Sequence, residues 1–391
     1  MRASVSVQVG FLLLSAIAAP TLASPEGGPG LGTLDVVFGN ALANRSCLGD
    51  GSGGFPGCSN LVDVGIGSFD VSLGFIDAGG ALDAAFANLG INQVCLGDGV
   101  GGFLDCSDVN FDLDQSYGVA LGFFDGDGNL DAVFGNLEDL NRLCFGDGLG
   151  GFPSCVNVST DANGTQAVVA ALVDPDAHLD LVFANQLTPN RVCLGDGKGG
   201  FACSDVSSDA NDSAGVAVGL MDGDANLDVV FSNQFQPNRI CLGDGVGGFG
   251  ACADVEAGTL DTVGVALGLI DADSNLDAVF GHRDAPNRVC LGDGSGGFSS
   301  CSNVSADNNV SLRLALGLVD GDANLDAVFA NDASPNRVCF GDGSGGFSSC
   351  ADVSGDSVQT VGVALGDLES SEIFDDGFES GDTSAWTVTV P

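Results

Sequence analysis

Short apolar segments alternate with turns rich in Gly, Asp, Asn and Pro along most of this chain. One cycle of the pattern runs from residue 306 to residue 353 and contains four such segments, at 312–319, 325–330, 336–340 and 347–353. Segments of this length with these boundaries are typical of strands in an antiparallel meander. The pattern therefore predicts four β-strands per cycle and an all-β fold.

The cycle repeats seven times. Its most regular part is the stretch Cys290-Leu-Gly-Asp-Gly-Ser-Gly-Gly-Phe298, near copies of which begin at Cys47, Cys95, Cys144, Cys193, Cys241, Cys290 and Cys339. Successive copies start 48 or 49 residues apart. Four strands per repeat at this period predict a seven-bladed β-propeller of four-stranded antiparallel blades.

The two ends of the repeat region complement each other. The first repeat begins at residue 33 with the segment that is second in the other repeats, and residues 358–368 supply little more than a first segment. We expect residues 358–368 to complete the blade begun at residue 33, because that pairing seals the ring and removes exposed strand edges. The propeller should therefore span residues 33–368.

The segments outside the repeats indicate export. Residues 1–23 resemble a signal peptide, in which Arg2 precedes an apolar run from Val7 to Ala19 that is too short to span a bilayer. Residues 24–32 form a flexible lead, and residues 369–391 break the repeat and are expected to be an exposed tail. We therefore expect a monomeric, secreted or cell-surface protein without a membrane span.

The cysteines agree with an oxidising compartment. They form one pair in each repeat, whereas a zinc site needs four ligands and the repeats offer no nearby His. An exported chain with this pattern is predicted to form disulfides. The seven predicted bonds are Cys47–Cys58, Cys95–Cys106, Cys144–Cys155, Cys193–Cys203, Cys241–Cys252, Cys290–Cys301 and Cys339–Cys350.

Each cysteine pair is expected to staple an antiparallel hairpin. If Cys290 lies opposite Cys301, a regular ladder places Leu291 opposite Ser300 and Asp293 opposite Phe298. The fourth repeat has one residue fewer between Phe201 and Cys203. This deletion would turn Cys203 to the other face of the hairpin unless a bulge compensates.

The charge excludes several classes of partner. The chain has 53 acidic and 10 basic residues, a formal net charge of -43. Such a surface repels nucleic acid phosphates and anionic lipid head groups, and it attracts cations. We therefore expect no nucleic acid partner.

The repeat resembles the FG-GAP/VCBS repeat of extracellular seven-bladed propellers, the class that includes integrin alpha-subunit heads. The matching blocks are Asp-Gly-Asp-Gly-Asn-Leu-Asp-Ala-Val-Phe at 125–134 and Asn-Arg-Val-Cys-Leu-Gly-Asp-Gly-Lys-Gly-Gly-Phe at 190–201. The resemblance covers residues 33–368. It implies a propeller used in adhesion, sugar binding or, in some members, carbohydrate chemistry.

The resemblance also implies calcium at the acidic turn, bound through its first, third, fifth and ninth positions. Here the first position is apolar, and the other three carry Asp in five turns. The candidate ligands are Asp125, Asp127 and Asp131; Asp174, Asp176 and Asp180; Asp222, Asp224 and Asp228; Asp271, Asp273 and Asp277; and Asp320, Asp322 and Asp326. Clustered carboxylates suit calcium, but Asp also caps tight turns through side-chain to backbone hydrogen bonds. Both interpretations stay open.

Other residues offer little catalytic chemistry. An Asn-Arg pair precedes the first cysteine of six repeats, and this regularity favours a structural ion pair over an anion-binding site. The two histidines, His178 and His282, stand where sister repeats carry Asn and are interpreted as drift within the repeat. We recognise no catalytic motif, so a non-enzyme is expected.

The leading functional hypothesis is a secreted, non-enzymatic binding or adhesion module for an extracellular glycan or protein. Loops that differ between repeats, at 186–189, 234–237 and 283–286, are the candidate binding segments. The alternatives are a carbohydrate-active lyase or hydrolase on the same scaffold and an inert, acidic, calcium-binding surface protein.

Overall fold

The computed structural model describes residues 33–61, 67–109 and 114–369. The predicted signal segment, the predicted lead at 24–32 and nearly all of the predicted tail lie outside these residues. The described residues form seven four-stranded antiparallel sheets. No helix among them is long and apolar enough to cross a membrane.

The first four blades follow the chain from its beginning, with one strand borrowed from its end. Blade 1 consists of β28 (Thr360–Gly366), β1 (Asp35–Asn40), β2 (Arg45–Leu48) and β3 (Gly57–Asn60). Blade 2 consists of β4 (Ser68–Gly74), β5 (Asp83–Asn88), β6 (Gln93–Gly97) and β7 (Phe103–Asp108). Blade 3 consists of β8 (Ser116–Gly122), β9 (Asp131–Asn136), β10 (Arg142–Phe145) and β11 (Ser154–Asn157). Blade 4 consists of β12 (Gly164–Ala171), β13 (Asp180–Gln186), β14 (Arg191–Gly195) and β15 (Phe201–Asp205).

The other three blades repeat the same order without interruption. Blade 5 consists of β16 (Ser213–Gly219), β17 (Asp228–Asn233), β18 (Arg239–Gly243) and β19 (Phe249–Asp254). Blade 6 consists of β20 (Thr262–Gly268), β21 (Asp277–His282), β22 (Arg288–Gly292) and β23 (Phe298–Asn303). Blade 7 consists of β24 (Val310–Gly317), β25 (Asp326–Asp332), β26 (Arg337–Gly341) and β27 (Phe347–Asp352).

The predicted ring closure is confirmed. Strand β28 pairs antiparallel with β1, and Gly366 lies opposite Asp35. The first strands of neighbouring blades contact each other around a closed ring, so they surround the axis. Because consecutive strands of a blade are antiparallel, their connections alternate between the two ends of the propeller axis. The turn end carries the acidic turns and the hairpins, and the loop end carries the loops between second and third strands and the links between blades.

The apolar core lies between blades. Each second strand is buried along nearly its whole length, because both of its faces pack against sheets. This burial explains why the residues after the initial Asp, such as Ala-Val-Phe, are apolar without alternation. One buried cluster, for example, joins Ile270 and Val279 of blade 6 to Leu314 and Phe329 of blade 7. A single blade therefore cannot bury its own apolar faces, and seven blades stabilise one another.

All seven predicted disulfides form, but one detail of the hairpin prediction is wrong. Cys290 lies opposite Cys301 and Leu291 opposite Ser300, whereas Phe298 faces Gly292 and not Asp293. A bulge after Leu291 shifts the register. It frees Asp293 to close the turn, in which its Oδ1 accepts hydrogen bonds from the backbone of Ser295 and Gly297.

The short fourth hairpin forms its disulfide without a compensating bulge. Cys193 lies opposite Cys203 and Gly195 opposite Phe201 in one uninterrupted register. The hairpins of blades 2, 5, 6 and 7 contain a bulge at this place. The residue missing from the fourth repeat is thus the bulge residue, and its loss keeps Cys203 on the same face.

A buried Asp at the start of the second strand joins three strands of every blade. In blade 3, Asp131 Oδ1 accepts the Gly146 N–H and Oδ2 accepts the Phe124 N–H, at 2.9 and 3.0 Å. The same pair of bonds is made by Asp35, Asp83, Asp180, Asp228, Asp277 and Asp326. We call these seven residues the buried aspartates. In blade 1, Asp35 Oδ2 accepts the N–H of Leu368, so this hydrogen bond also fixes the end of β28.

Two charged side chains occupy the axis. At one aligned position of the first strands, five blades carry Gly or Ala and the other two carry Asp70 and Arg313. The Arg313 guanidinium donates to the carbonyl groups of Gln166 and Ala214 in two other blades. Asp70 Oδ2 accepts the Val119 N–H of a third. Burial raises the pKa of Asp70, and the charge of Arg313 opposes that shift. The five small residues therefore leave room for one pair that links several blades.

We expect Arg313→Gly to destabilise the fold because it leaves Asp70 without its cation. The cost should be about 1–3 kcal/mol, below the value for a fully buried pair, since both side chains are partly accessible. Asp70→Gly with Arg313→Gly should cost less than the sum of the single changes. Urea unfolding of the four proteins measures this coupling. Additive changes in the free energy of unfolding would contradict an energetic coupling between the two side chains.

The buried aspartates should make the protein more stable in mild acid than at neutral pH. Burial raises the pKa of Asp131 and of Asp326 from 3.8 to about 6. The folded state therefore binds these protons more tightly than the unfolded state, and the free energy of unfolding should fall as pH rises from about 4 to about 6. Repulsion within a chain of charge -43 acts in the same direction.

Thermal melts between pH 4.5 and 7.5 test this prediction, with Tm expected to decrease as pH rises. Asp131→Asn removes one titrating group and should flatten the slope while it lowers Tm throughout. The exposed Asp293, whose pKa is lowered by the hydrogen bonds of Ser295, loses stabilisation only in stronger acid. A Tm that rises from pH 4.5 to 7.5 would be incompatible with the account.

Candidate binding surface

The acidic turns bring together two of the three candidate calcium ligands. In the turn of blade 3, Asp125 Oδ1 accepts the Asp127 N–H, and Asp127 Oδ1 accepts the Asn129 N–H. The equivalent exposed pairs are Asp174 and Asp176, Asp222 and Asp224, Asp271 and Asp273, and Asp320 and Asp322. These bonds are the capping bonds that the alternative interpretation predicts.

The third candidate ligand of each turn is buried, and its oxygens are engaged by the backbone. Asp131, Asp180, Asp228, Asp277 and Asp326 are the buried aspartates, whose two oxygens accept backbone N–H groups. Together with the apolar first position, this placement does not fit the ligand set that the resemblance implies. Within the described part of the chain, the one gathering of three donor groups is Glu256 with Cys290 and Cys301, whose sulfurs share a disulfide. Calcium binding stays a prediction.

The repeated arginines have a structural role. Arg191 binds Asp161 and Asp205 at 2.8 and 2.7 Å, so its guanidinium joins the link before blade 4 to the outer strand of that blade. Arg337 binds Asp307 and Asp352 in the same way. These ion pairs engage the two terminal nitrogens of each guanidinium group at the rim of the loop end, as a structural fork predicts.

Buried asparagine and hydroxyl side chains connect the blades at the loop end. Asn141 Nδ2 of blade 3 donates to Thr165 Oγ1 of blade 4, whose hydroxyl donates to Asn185 Oδ1. The Asn185 N–H then donates to Asn190 Oδ1, which begins the next step. Equivalent steps enter every blade except blade 6. We call this chain of bonds the asparagine ring.

The ring is broken where it enters blade 6. His282 replaces the asparagine there, and its Nδ1 lies 3.1 Å from Thr262 Oγ1. Asn238, the residue that should donate to Thr262, makes no such bond. A small pocket opens at this joint, lined by Asn238, Thr262 and His282 together with Gln236 and Leu260.

Unsatisfied polar atoms concentrate in the same region. Apart from Nε atoms of the repeated arginines, the buried side-chain atoms without a hydrogen-bond partner in the described structure are Thr188 Oγ1, Asp212 Oδ1, Asp261 Oδ1 and His282 Nε2. Thr188, Asp212 and Asp261 belong to the loops and links of blades 4 to 6, and His282 ends β21 at the same end of the propeller. Burial raises the pKa of Asp212 and of Asp261 and lowers that of His282 to about 4. A buried polar atom without a partner costs stability, so such a cluster points to a function.

Hydrogen bonds join these loops into one surface. The Asp212 N–H of the link before blade 5 donates to Gln236 Oε1 in the loop of that blade, at 2.8 Å. Arg283 in the loop of blade 6 donates to Gln234 Oε1 in the loop of blade 5, at 2.9 Å, and lies 3.8 Å from Asp261. We call the surface formed by residues 186–189, 211–212, 234–237, 260–261 and 283–286 the loop surface.

Two apolar side chains project from the loop surface. Leu187 and Phe235 are 63% and 62% exposed and have positive φ angles of 54° and 55°. Ala333 in the equivalent loop of blade 7 has the same conformation, with a φ of 56°, so the backbone shape belongs to this type of loop and the exposed side chains distinguish blades 4 and 5. The pair offers an apolar platform beside the carboxylates of Asp212 and Asp261.

The turn end also exposes apolar side chains, at the first position of the acidic turns. Phe123, Leu172, Leu220 and Leu318 are 37 to 47% exposed there. They recur from blade to blade, and the described residues of this end contribute none of the unsatisfied atoms. The loop surface is therefore the stronger candidate.

The comparisons with known proteins agree on the fold. No protein-family model and no curated protein matches the chain. A lectin of Agrocybe aegerita that recognises non-reducing terminal N-acetylglucosamine matches with a TM-score of 0.61 and 18% identity over 86% of this chain and 95% of that one. The lectin BP39L of Burkholderia pseudomallei has a TM-score of 0.56 and 12% identity over 83% and 97%. The computationally designed protein Ika8 has a TM-score of 0.52 and 11% identity over 85% and 91%. At these identities the similarity shows the fold alone.

The sequence points to part of the loop surface. The segments 186–189, 234–237 and 283–286 were selected because they vary between repeats, and all three lie on it. Asp212 and Asp261 were missed, since aspartates in an acidic chain carry no distinguishing signal. His282 was interpreted as drift, although a departure from a repeated asparagine was the signal that could have singled it out.

Proposed function

We propose that this protein is a secreted, non-enzymatic glycan-binding propeller whose ligand lies on the loop surface of blades 4 to 6. The proposal rests on the cluster of buried polar atoms that have no hydrogen-bond partner and lie beside two exposed apolar side chains. In the other blades the asparagine that corresponds to His282 has its side-chain oxygen and nitrogen bonded within the fold, as Asn185 and Asn233 show.

The chemistry of the loop surface suits a sugar. The two faces of a sugar ring are largely C–H groups that pack on apolar or aromatic side chains such as Phe235 and Leu187. Its hydroxyl groups donate to carboxylates, and Asp212 Oδ1 and Asp261 Oδ1 each lack a donor. A few convergent polar groups beside apolar area are typical of ligand sites. Lectin activity of two proteins with the same fold supports this choice of ligand class.

Other observations support the remaining parts of the proposal. Seven disulfides are consistent with export, as is the FG-GAP/VCBS-like repeat of extracellular propellers. The proposal assigns Asp212 and Asp261, whose pKa values burial raises, to sugar binding and not to acid and base catalysis. Turnover of a polysaccharide by the purified protein would contradict this part.

We expect Phe235→Ala to weaken glycan binding about tenfold, because the substitution removes the larger part of the apolar platform. A glycan array identifies the ligand, and calorimetry with the best glycan measures the change. Leu42→Ala is the matched control, since Leu42 is 77% exposed in the corresponding loop of blade 1 and lies outside the loop surface.

The array should be run in calcium and in EDTA. Loss of binding in EDTA would support the calcium prediction, and unchanged binding would assign recognition to the loop surface alone. Equal effects of the Phe235 and Leu42 substitutions, or no glycan binding by the natural protein, would refute the proposed function.

A further inference from the structure

The pocket at the broken joint of the asparagine ring presents hydrogen-bond donors. His282 is fully buried, its Nδ1 lies 3.1 Å from Thr262 Oγ1, and its Nε2 has no partner. Asn238, 5% exposed, uses its Oδ1 to accept the Asn233 N–H, so its amide nitrogen is the group left for the pocket. In the other blades the equivalent amide nitrogen is occupied by the hydroxyl of the next blade.

The hydroxyl of Thr262 decides which nitrogen of His282 carries the proton. Among the described residues, His282 Nδ1 is the group within hydrogen-bond distance of Thr262 Oγ1. Donation from the hydroxyl to Nδ1 uses the hydroxyl proton, whereas the opposite direction would leave that proton buried without an acceptor. The favoured tautomer therefore carries its proton on Nε2. Because burial lowers the pKa of His282 to about 4, the ring stays neutral at pH 7.

The pocket is small. Its volume is about 10 Å³, which is room for one oxygen-sized group, and it is partly open to the surface. Leu260 lies on its wall, and the Leu260 carbonyl accepts the Phe235 N–H at 3.1 Å. The wall of the pocket is therefore bonded to the backbone that carries the apolar platform.

We infer that this pocket takes a carbonyl-type oxygen from the bound ligand, which accepts the His282 Nε2–H and an N–H of Asn238. An acetamido group and a carboxylate both offer such an oxygen with two lone pairs. The acetamido group is favoured, because a chain of net charge -43 repels a carboxylate and Glu256 adds an acidic side chain to the lining. The inference deepens the proposed function and rests on it: it assigns N-acetylated sugars as the substrate class.

Histidine-selective ¹⁵N NMR of the full chain tests the pocket directly. N-acetylglucosamine should shift the Nε2 resonance of His282, and glucosamine and glucuronic acid should not. His178 is the internal control, since it lies at the turn end and hydrogen-bonds with Asp176. No shift with N-acetylglucosamine, or equal shifts with glucosamine, would overturn the inference. A shift with glucuronic acid alone would assign the pocket to carboxylates and overturn the acetamido assignment.

The repeat supplies a second variant that should fold. His282→Asn restores the residue of the other six blades, so Tm should stay the same or rise while affinity for an N-acetylated glycan falls at least tenfold. The preference over the matched deacetylated glycan should disappear. If binding and preference are unchanged, His282 has a structural role only and the inference fails.

The two proposals fail in different ways. Glycan binding that depends on Phe235 but ignores both acetylation and the His282→Asn change would leave the proposed function standing and remove the pocket. A silent glycan array without an N-acetylglucosamine shift at His282 would remove both proposals.

Discussion

The buried aspartates are the constraint on which the rest of the propeller depends. Each one sits at the point where the first, second and third strands of a blade meet, and its two oxygens accept one N–H from the turn and one from the third strand. The side chain at this position must therefore offer two acceptor oxygens. The glycine that donates from the third strand must also lie close to the backbone of the second strand. A Cβ on Gly146 would lie 2.2 Å from the Leu130 carbonyl oxygen, so only glycine fits there. This requirement explains why Leu-Asp and Cys-x-Gly are the most constant parts of the repeat.

Repetition also separates scaffold from function. Groups that recur in register are mostly bonded within the fold, as the ion pairs of the arginine forks and the hydrogen bonds of the asparagine ring show. Departures from the repeat fall into two kinds. Asp70 and Arg313 depart together. Their charges are opposite, and each side chain hydrogen-bonds to the backbone of another blade across the axis, so this departure has a structural role. His282 departs without such compensation and leaves its Nε2 without a partner. The proposed binding site rests on this second kind of departure.

The sequence predicted the blade count, the ring closure and the disulfides because each rests on a period that survives in every repeat. It failed where one residue changes the geometry. The bulge after Leu291 moves Phe298 by one position, and the fourth hairpin lacks that bulge, yet both hairpins place their cysteines in register. Spacing along the chain groups Asp125, Asp127 and Asp131 as candidate calcium ligands. In the structure Asp131 begins the buried strand β9, whereas Asp125 and Asp127 lie in the exposed turn before it. Contacts between blades, such as Arg283 with Gln234, have no signal in a single repeat.

Charge limits the ligand further. Six of the 10 basic residues stand at the repeated Asn-Arg position, and Arg313 lies in the axis. Arg283 is the basic residue that reaches the loop surface, and it is already engaged by Gln234 and by Asp261. The loop surface therefore offers apolar area, carboxylates and neutral donors, but no uncommitted cation to match an anionic sugar. Under the proposed function this balance favours a neutral ligand, because hydroxyl groups would donate to Asp212 and Asp261 without adding negative charge.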